Sequence, residues 1–227
     1  MAQEAPQHYS GQMAVTYPKS NREKADLYIN ALHEIRVRLR SIDAILASPV
    51  PELVQAESCH LQLRLVCECF AVACLAAQGD FDSHKAFRDD YSPVAIFKAL
   101  EACYPDFFPT PSIMQKTNEG WHFDGVGHGH SIARAEIESI WQKSGDHLHR
   151  ASAKKYLKRT NASDPLAINR AKERFWNLIM DHMIILGGQK SRFHVHMDRA
   201  TDAMECKFLN LDPEAGTATV EPYNLAL

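Results

Sequence analysis

The sequence predicts a mainly α, α+β fold: a helical bundle with an inserted β-hairpin and a small C-terminal antiparallel β subdomain. Three observations carry this. Apolar residues recur at spacings of three and four over most of the chain up to Ile185. The pattern changes between Ile113 and Val126, where Asn118-Glu119-Gly120 sits between two short segments able to pair. From Arg192 to Asp198, Phe193, Val195 and Met197 alternate with His194 and His196, the period of a half-buried strand. The expected organisation is a flexible lead-in over 1–19, a bundle over 20–187 with the hairpin near 112–126, and a β-rich tail over 188–227 packed on the bundle.

Ser20-Asn21-Arg22-Glu23 has the form of a capping box, and Tyr28, Leu32, Ile35, Leu39, Ile42 and Leu46 follow as one apolar face. That helix should end near Ser48, before Pro49 and Pro51. A second helix should run from Pro51 to Gln78, with Gly79 as its terminator. Between Leu65 and Ala77 only Glu68 is strongly polar, so this helix should be central and buried. Ser92-Pro93 opens a shorter helix that Pro105 and Pro109 limit. Another should run from Ser131 or Ile132 to Ser144, where Gly145 makes a break. Asp146 would then cap a further turn or helix reaching Lys158. Asp164-Pro165 opens the last helix, with Ile168, Ala171, Phe175, Leu178, His182 and Ile185 on one face and Gly187-Gly188 ending it. Strands over Lys207–Leu211 and Thr217–Glu221 flank an Asp-Pro-Glu-Ala-Gly turn.

The 227 residues, 45% of them hydrophobic and 23% charged, suffice for one sizeable core without staples. The polar start lacks the apolar stretch of a secretory signal, and no charge-free apolar stretch reaches the length that spans a bilayer, so a cytoplasmic protein with no membrane span is expected. Four of six cysteines (Cys59, Cys67, Cys69, Cys74) fall in the apolar helix and read as reduced, buried thiols. Cys67-x-Cys69 has no second pair at zinc-ribbon spacing, and neither a metal nor an organic cofactor is implied. Phosphate-cradling and nucleophile-elbow motifs are absent. A net charge of −3 places any nucleic-acid binding in a local patch.

Three groups could carry chemistry. Glu57, Arg64 and Glu68, with His60 beside them, form a polar line on the buried helix, either an internal ion pair or a polar pocket. Residues 143–159 hold six Lys or Arg against Asp146 alone, and in a helix Arg150, Lys154 and Lys158 form one basic stripe beside Asp146, His147 and His149. Cations next to a histidine that titrates near neutrality suit proton transfer at a phosphodiester. His122 with Asp124, and His194 with His196, share strand faces, and with His128 and His130 they offer a conceivable metal site. His182, on an apolar face, reads as a hydrogen-bonded core histidine.

Several apolar helices followed by a helix ending in a short polar, His-containing motif resemble the HEPN superfamily. Lys143-Ser144 through His149 carries the likeness, with Lys143 where that family has Arg. The resemblance implies a helical, usually dimeric protein that binds RNA or another nucleic acid, in many members as a metal-independent ribonuclease. His149 would then transfer protons, Lys143 and Arg150 would stabilise phosphate charge, and Asp146 would orient a histidine. Lys154, Lys158 and His147 would hold substrate. The alternatives are a non-catalytic interaction or dimerisation module and a metal-dependent hydrolase built on the strand histidines.

Overall fold

A computed structural model describes residues 18, 20–118, 120–125, 129–148, 164–187, 191–201, 203–212, 214 and 217–223. The predicted lead-in therefore lies almost wholly outside the described residues. Along the chain run α1 (Asn21–Leu46), α2 (Glu52–Gln78), α3 (Lys85–Asp89), α4 (Pro93–Cys103), β1 (Thr110–Thr117) and β2 (Gly120–Gly125). They are followed by α5 (Arg134–Leu148), α6 (Pro165–Met180), β3 (Asp181–Ile185), β4 (Ser191–Met197), β5 (Met204–Asp212) and β6 (Thr217–Tyr223).

The capping box forms: Glu23 N–H donates to Ser20 Oγ (3.2 Å), and Ser20 N–H donates to Glu23 Oε2 (2.8 Å). Tyr28, Leu32, Ile35, Leu39 and Ile42 are fully buried against α2. Helix α2 ends at Gly79, whose φ of 69° suits a residue without Cβ. By length and composition α2 could cross a bilayer, but 56% of its most apolar window is buried inside the protein, where α1, α4 and α5 pack on it. It is the core helix of this fold. All six cysteines are free thiols, four of them buried.

The β structure departs from expectation. It is not a hairpin insertion plus a small C-terminal subdomain but one six-stranded antiparallel sheet of order β2-β1-β3-β4-β5-β6. The element that joins the two parts is β3, in a stretch where the sequence predicts helix. Helix α6 stops at Met180, and Asp181 is already extended (φ −143°, ψ 108°). Leu178, His182 and Ile185 fit a helical face, yet His182 and Ile184 fit a strand equally well over so short a run. Pairing decides between them: Asp181 to Ile185 matches His196 to Arg192 of β4 along the whole strand, and Met183 matches Thr110 of β1.

One sheet face carries Phe193, Val195, Met197 and Cys206 into the helical core. On it His182 Nε2 meets Tyr28 Oη at 2.7 Å, as a core histidine should, and burial pushes its pKa down to about 3. The other face is concave. In a flat sheet β2 and β5, four strand spacings apart, would be separated by roughly 19 Å. Lys207 of β5 nevertheless sits over the Trp121 ring of β2, 4.9 Å from its centre, so the sheet curls towards a barrel.

Candidate functional site

The polar line on α2 and the beginning of the basic segment, 75 or more residues apart in sequence, meet in space. Helix α5 does not break at Gly145 but runs through it to Leu148. The reason is packing: a Cβ at Gly145 would lie 2.5 Å from Arg64 Nη1. Glycine here permits the close approach of an α2 side chain, and α5 accepts its low helix propensity in exchange. Asp146 and His147 therefore belong to the last turn of α5 rather than capping a new helix.

Ile140, Lys143, Ser144 and His147 project from α5 at helical spacing towards α2 and α6. The imidazoles of His60 and His147 stack, with ring centres 3.9 Å apart and planes 8° from parallel. His60 Nδ1 lies 3.3 Å from Ser144 Oγ. Burial first, and the neighbouring His147 second, lower the pKa of His60 to about 4. Burial thus favours the neutral imidazole of His60 and makes it a weaker base than an ordinary histidine.

One helical turn further along α2, Arg64 lies over the Trp141 ring, 4.3 Å from its centre, and its Nε pairs with Glu68 Oε1 at 3.2 Å. Trp141 Nε1–H donates to the same Glu68 oxygen at 2.8 Å. This knot resolves the two sequence readings of the polar line. Arg64 and Glu68 are the structural ion pair, and they fix the rotation of α5 that presents Ser144 and His147 to His60. Glu57 is also engaged in an interaction of its own.

Beside His60 and Ser144 a cavity of about 220 Å³ opens between α2, α5 and α6, lined by Lys143, Arg170, Arg174 and Glu136 among others. Arg174 is tied to Glu136 (2.5 Å) and to the Ser131 carbonyl (2.6 Å). Among the described residues its Nε is buried without a hydrogen-bond partner. Among the described residues neither Lys143 nor Arg170, both exposed at the cleft, pairs with a carboxylate. Small-molecule pockets typically measure about 300–1,000 Å³, so this cleft is a small one, wide enough for a phosphate-sized group.

No protein-family model, curated protein or solved structure matches this chain. The site therefore stands on its own geometry.

His149, Arg150, Lys154 and Lys158 lie outside the described residues. The strand histidines divide. His122 and Asp124 are 3.6 Å apart and exposed, on the alternate side of β2 from Trp121. His194 is 1% exposed on the concave face, and His196 Nδ1 pairs with Asp181 at 2.9 Å. Among the described residues no three His, Cys, Asp or Glu side chains converge as a metal site, His130 included; His128 is outside them. Sequence reasoning missed Arg170, Arg174, Ser144 and Trp141. The Ala167, Arg170, Ala171, Arg174 spacing was the available signal: arginines alternating with small residues on one helix face leave room beside a positive charge.

Proposed function

We propose that this chain is an HEPN-like protein that binds RNA or another nucleic acid at the α2–α5–α6 cleft and along the basic segment after α5, as a metal-independent ribonuclease. The observation that supports this best is the stacked His60–His147 pair, with Lys143 and Arg170 lining the cavity beside His60. In strand cleavage a base removes the proton of a 2′-hydroxyl, its oxygen attacks the phosphorus, and the 5′ oxygen leaves with a proton from an acid. His60, alone or through Ser144 at 3.3 Å, would act as the base. His149, two residues beyond His147 in sequence, keeps the role of proton donor, with Arg150 beside it. Lys143 and Arg170 would hold the phosphoryl oxygens and offset the charge they gain. Lys154 and Lys158 would track the backbone, and Asp146 would orient His149.

Titration of labelled single-stranded RNA against rising salt, followed by fluorescence anisotropy, tests the binding half. Each phosphate contact contributes about 0.7 to the slope of log affinity against log salt for single strands, so K143Q/R170Q should lower it by about 1.4. An unchanged slope would remove the cleft from the interface.

A second reading, an interaction or dimerisation module, draws on Val54, Leu61 and Val72. They are 45%, 43% and 45% exposed and share one face of α2. Light scattering on the wild type and on L61E, paired with the RNA titration, tests its dimerisation half: a dimer that L61E dissociates and that binds no RNA favours this reading, and a wild-type monomer removes self-association through this face.

A further inference from the structure

The concave face of the sheet holds a second set of polar groups that the proposed nuclease chemistry does not use. Seven buried side-chain nitrogen or oxygen atoms lack a hydrogen-bond partner among the described residues, and four of them share this face: Ser112 Oγ, Arg192 Nε, and His194 Nδ1 and Nε2. Unpartnered buried polar atoms are costly, and natural folds keep few. They gather on β1 and β4, on either side of β3.

Cross-strand register puts these groups side by side. Arg192 faces Ile185 and His194 faces Met183 across β3–β4, while Met183 faces Thr110 across β3–β1. A cavity of about 460 Å³ opens on this face, within the range of about 300–1,000 Å³ typical of small-molecule sites. Its floor is Ser112, Arg192, Met183 and Ile185, buried or half-buried, with Phe108 as an apolar wall. Asp106 and Thr110 are exposed at the rim, where solvent screens the carboxylate. Among the described residues Arg192 has no carboxylate partner, and its Nη1 donates to Met183 Sδ at 3.9 Å. His194 lies deeper. Asp181 Oδ1 is 3.7 Å from its Nε2, and burial lowers its pKa against the opposing pull of Asp181.

We propose that this cavity is a second ligand site, taking a small molecule with an anionic head on Arg192 and Ser112 and an apolar body against Met183, Ile185 and Phe108. A guanidinium with a free fork edge recognises carboxylate and phosphate alike. The two heads are separated by experiment.

Calorimetric titration with octanoate, octyl phosphate and uncharged octanol, paired with thermal melts, provides the test. At least one anion should bind and raise the melting temperature, with octanol at least tenfold weaker. The stronger anion identifies the head group. In R192Q, affinity for that anion should fall at least tenfold. Should R192Q fail to fold, R192K, which keeps the charge and loses the fork, should still show a severalfold loss. Failure of both anions to bind the wild type, as when ordered water alone satisfies these atoms, overturns the proposal. So does undiminished binding by a folded Arg192 variant.

Discussion

Removing the Glu68 carboxylate should loosen α5 from α2 and disturb the histidine pair without touching it. Glu68 Oε1 receives both the Trp141 indole N–H at 2.8 Å and the Arg64 guanidinium at 3.2 Å. The Arg64 and Glu68 side chains are 16% and 20% exposed. Breaking a fully buried ion pair costs about 3–5 kcal/mol, and partial solvent access here reduces that figure. Stranding a half-buried indole N–H adds about 1–3 kcal/mol at most. For E68A the sum after discount is about 2–4 kcal/mol, or a melting temperature lower by roughly 4–16 °C in a chain of this size. E68Q keeps the acceptor for Trp141 and loses the charge, so it should cost about 1–2 kcal/mol. Urea unfolding of the wild type, E68A, R64A and the double variant measures the coupling. The double variant should be less destabilised than the sum of the singles by about 1–3 kcal/mol, because R64A removes the charge that E68A strands. An E68A variant within about 0.5 kcal/mol of the wild type, or strictly additive singles, would refute the reasoning.

Further outcomes follow from the same contacts. G145A should not show the gain of about 1 kcal/mol that Gly→Ala brings in an ordinary helix, because its methyl displaces Arg64 from Trp141; a gain of that size in urea unfolding contradicts the close approach. Y28F leaves the buried His182 Nε2 without its phenol and should cost about 1–3 kcal/mol, read by thermal melting. The folded-state pKa values of His60 (about 4) and His182 (about 3) lie below the ordinary histidine value, so the unfolded chain binds more protons as pH falls below neutrality. Their contribution is therefore full above the unfolded-state value near 6.5 and is lost as pH falls from there towards 4 and 3. Melting temperature should decline across that window, and H60Q should flatten its upper part; a flat profile from pH 7 to 4 contradicts both burials.

What the sequence made legible was local. The capping box of α1, Gly79 at the end of α2, Asp164-Pro165 at the start of α6 and the alternation of β4 each rest on residues within a few positions of one another, and all appear. Strand β3 was hidden because a five-residue run is too short for periodicity to separate strand from helix, and its partners β1 and β4 supply the choice. Gly145 was misread for a related reason. A glycine in a helical pattern signals either a stop or a close approach, and Arg64, which makes it the latter, stands 81 residues earlier. In the candidate site, His60, Lys143 and His147 were each picked out, but from two separate lists. Their union at the α2–α5 contact, and the addition of Arg170 and Arg174 from α6, depend on packing that no local pattern encodes. On the concave face His194 was noticed as one of a pair with His196, whereas Arg192, two residues away on the same face, was not.

The most direct test of the central claim is cleavage of mixed, end-labelled RNA by the purified chain in the presence of EDTA, alongside H60A, H147A and H149A. The account expects EDTA-resistant cleavage by the wild type, a loss of at least a hundredfold in H60A and H149A, the scale of a lost general base or acid, and an intermediate loss in H147A. Cleavage that EDTA abolishes, or that survives undiminished in folded H60A and H149A, would contradict it.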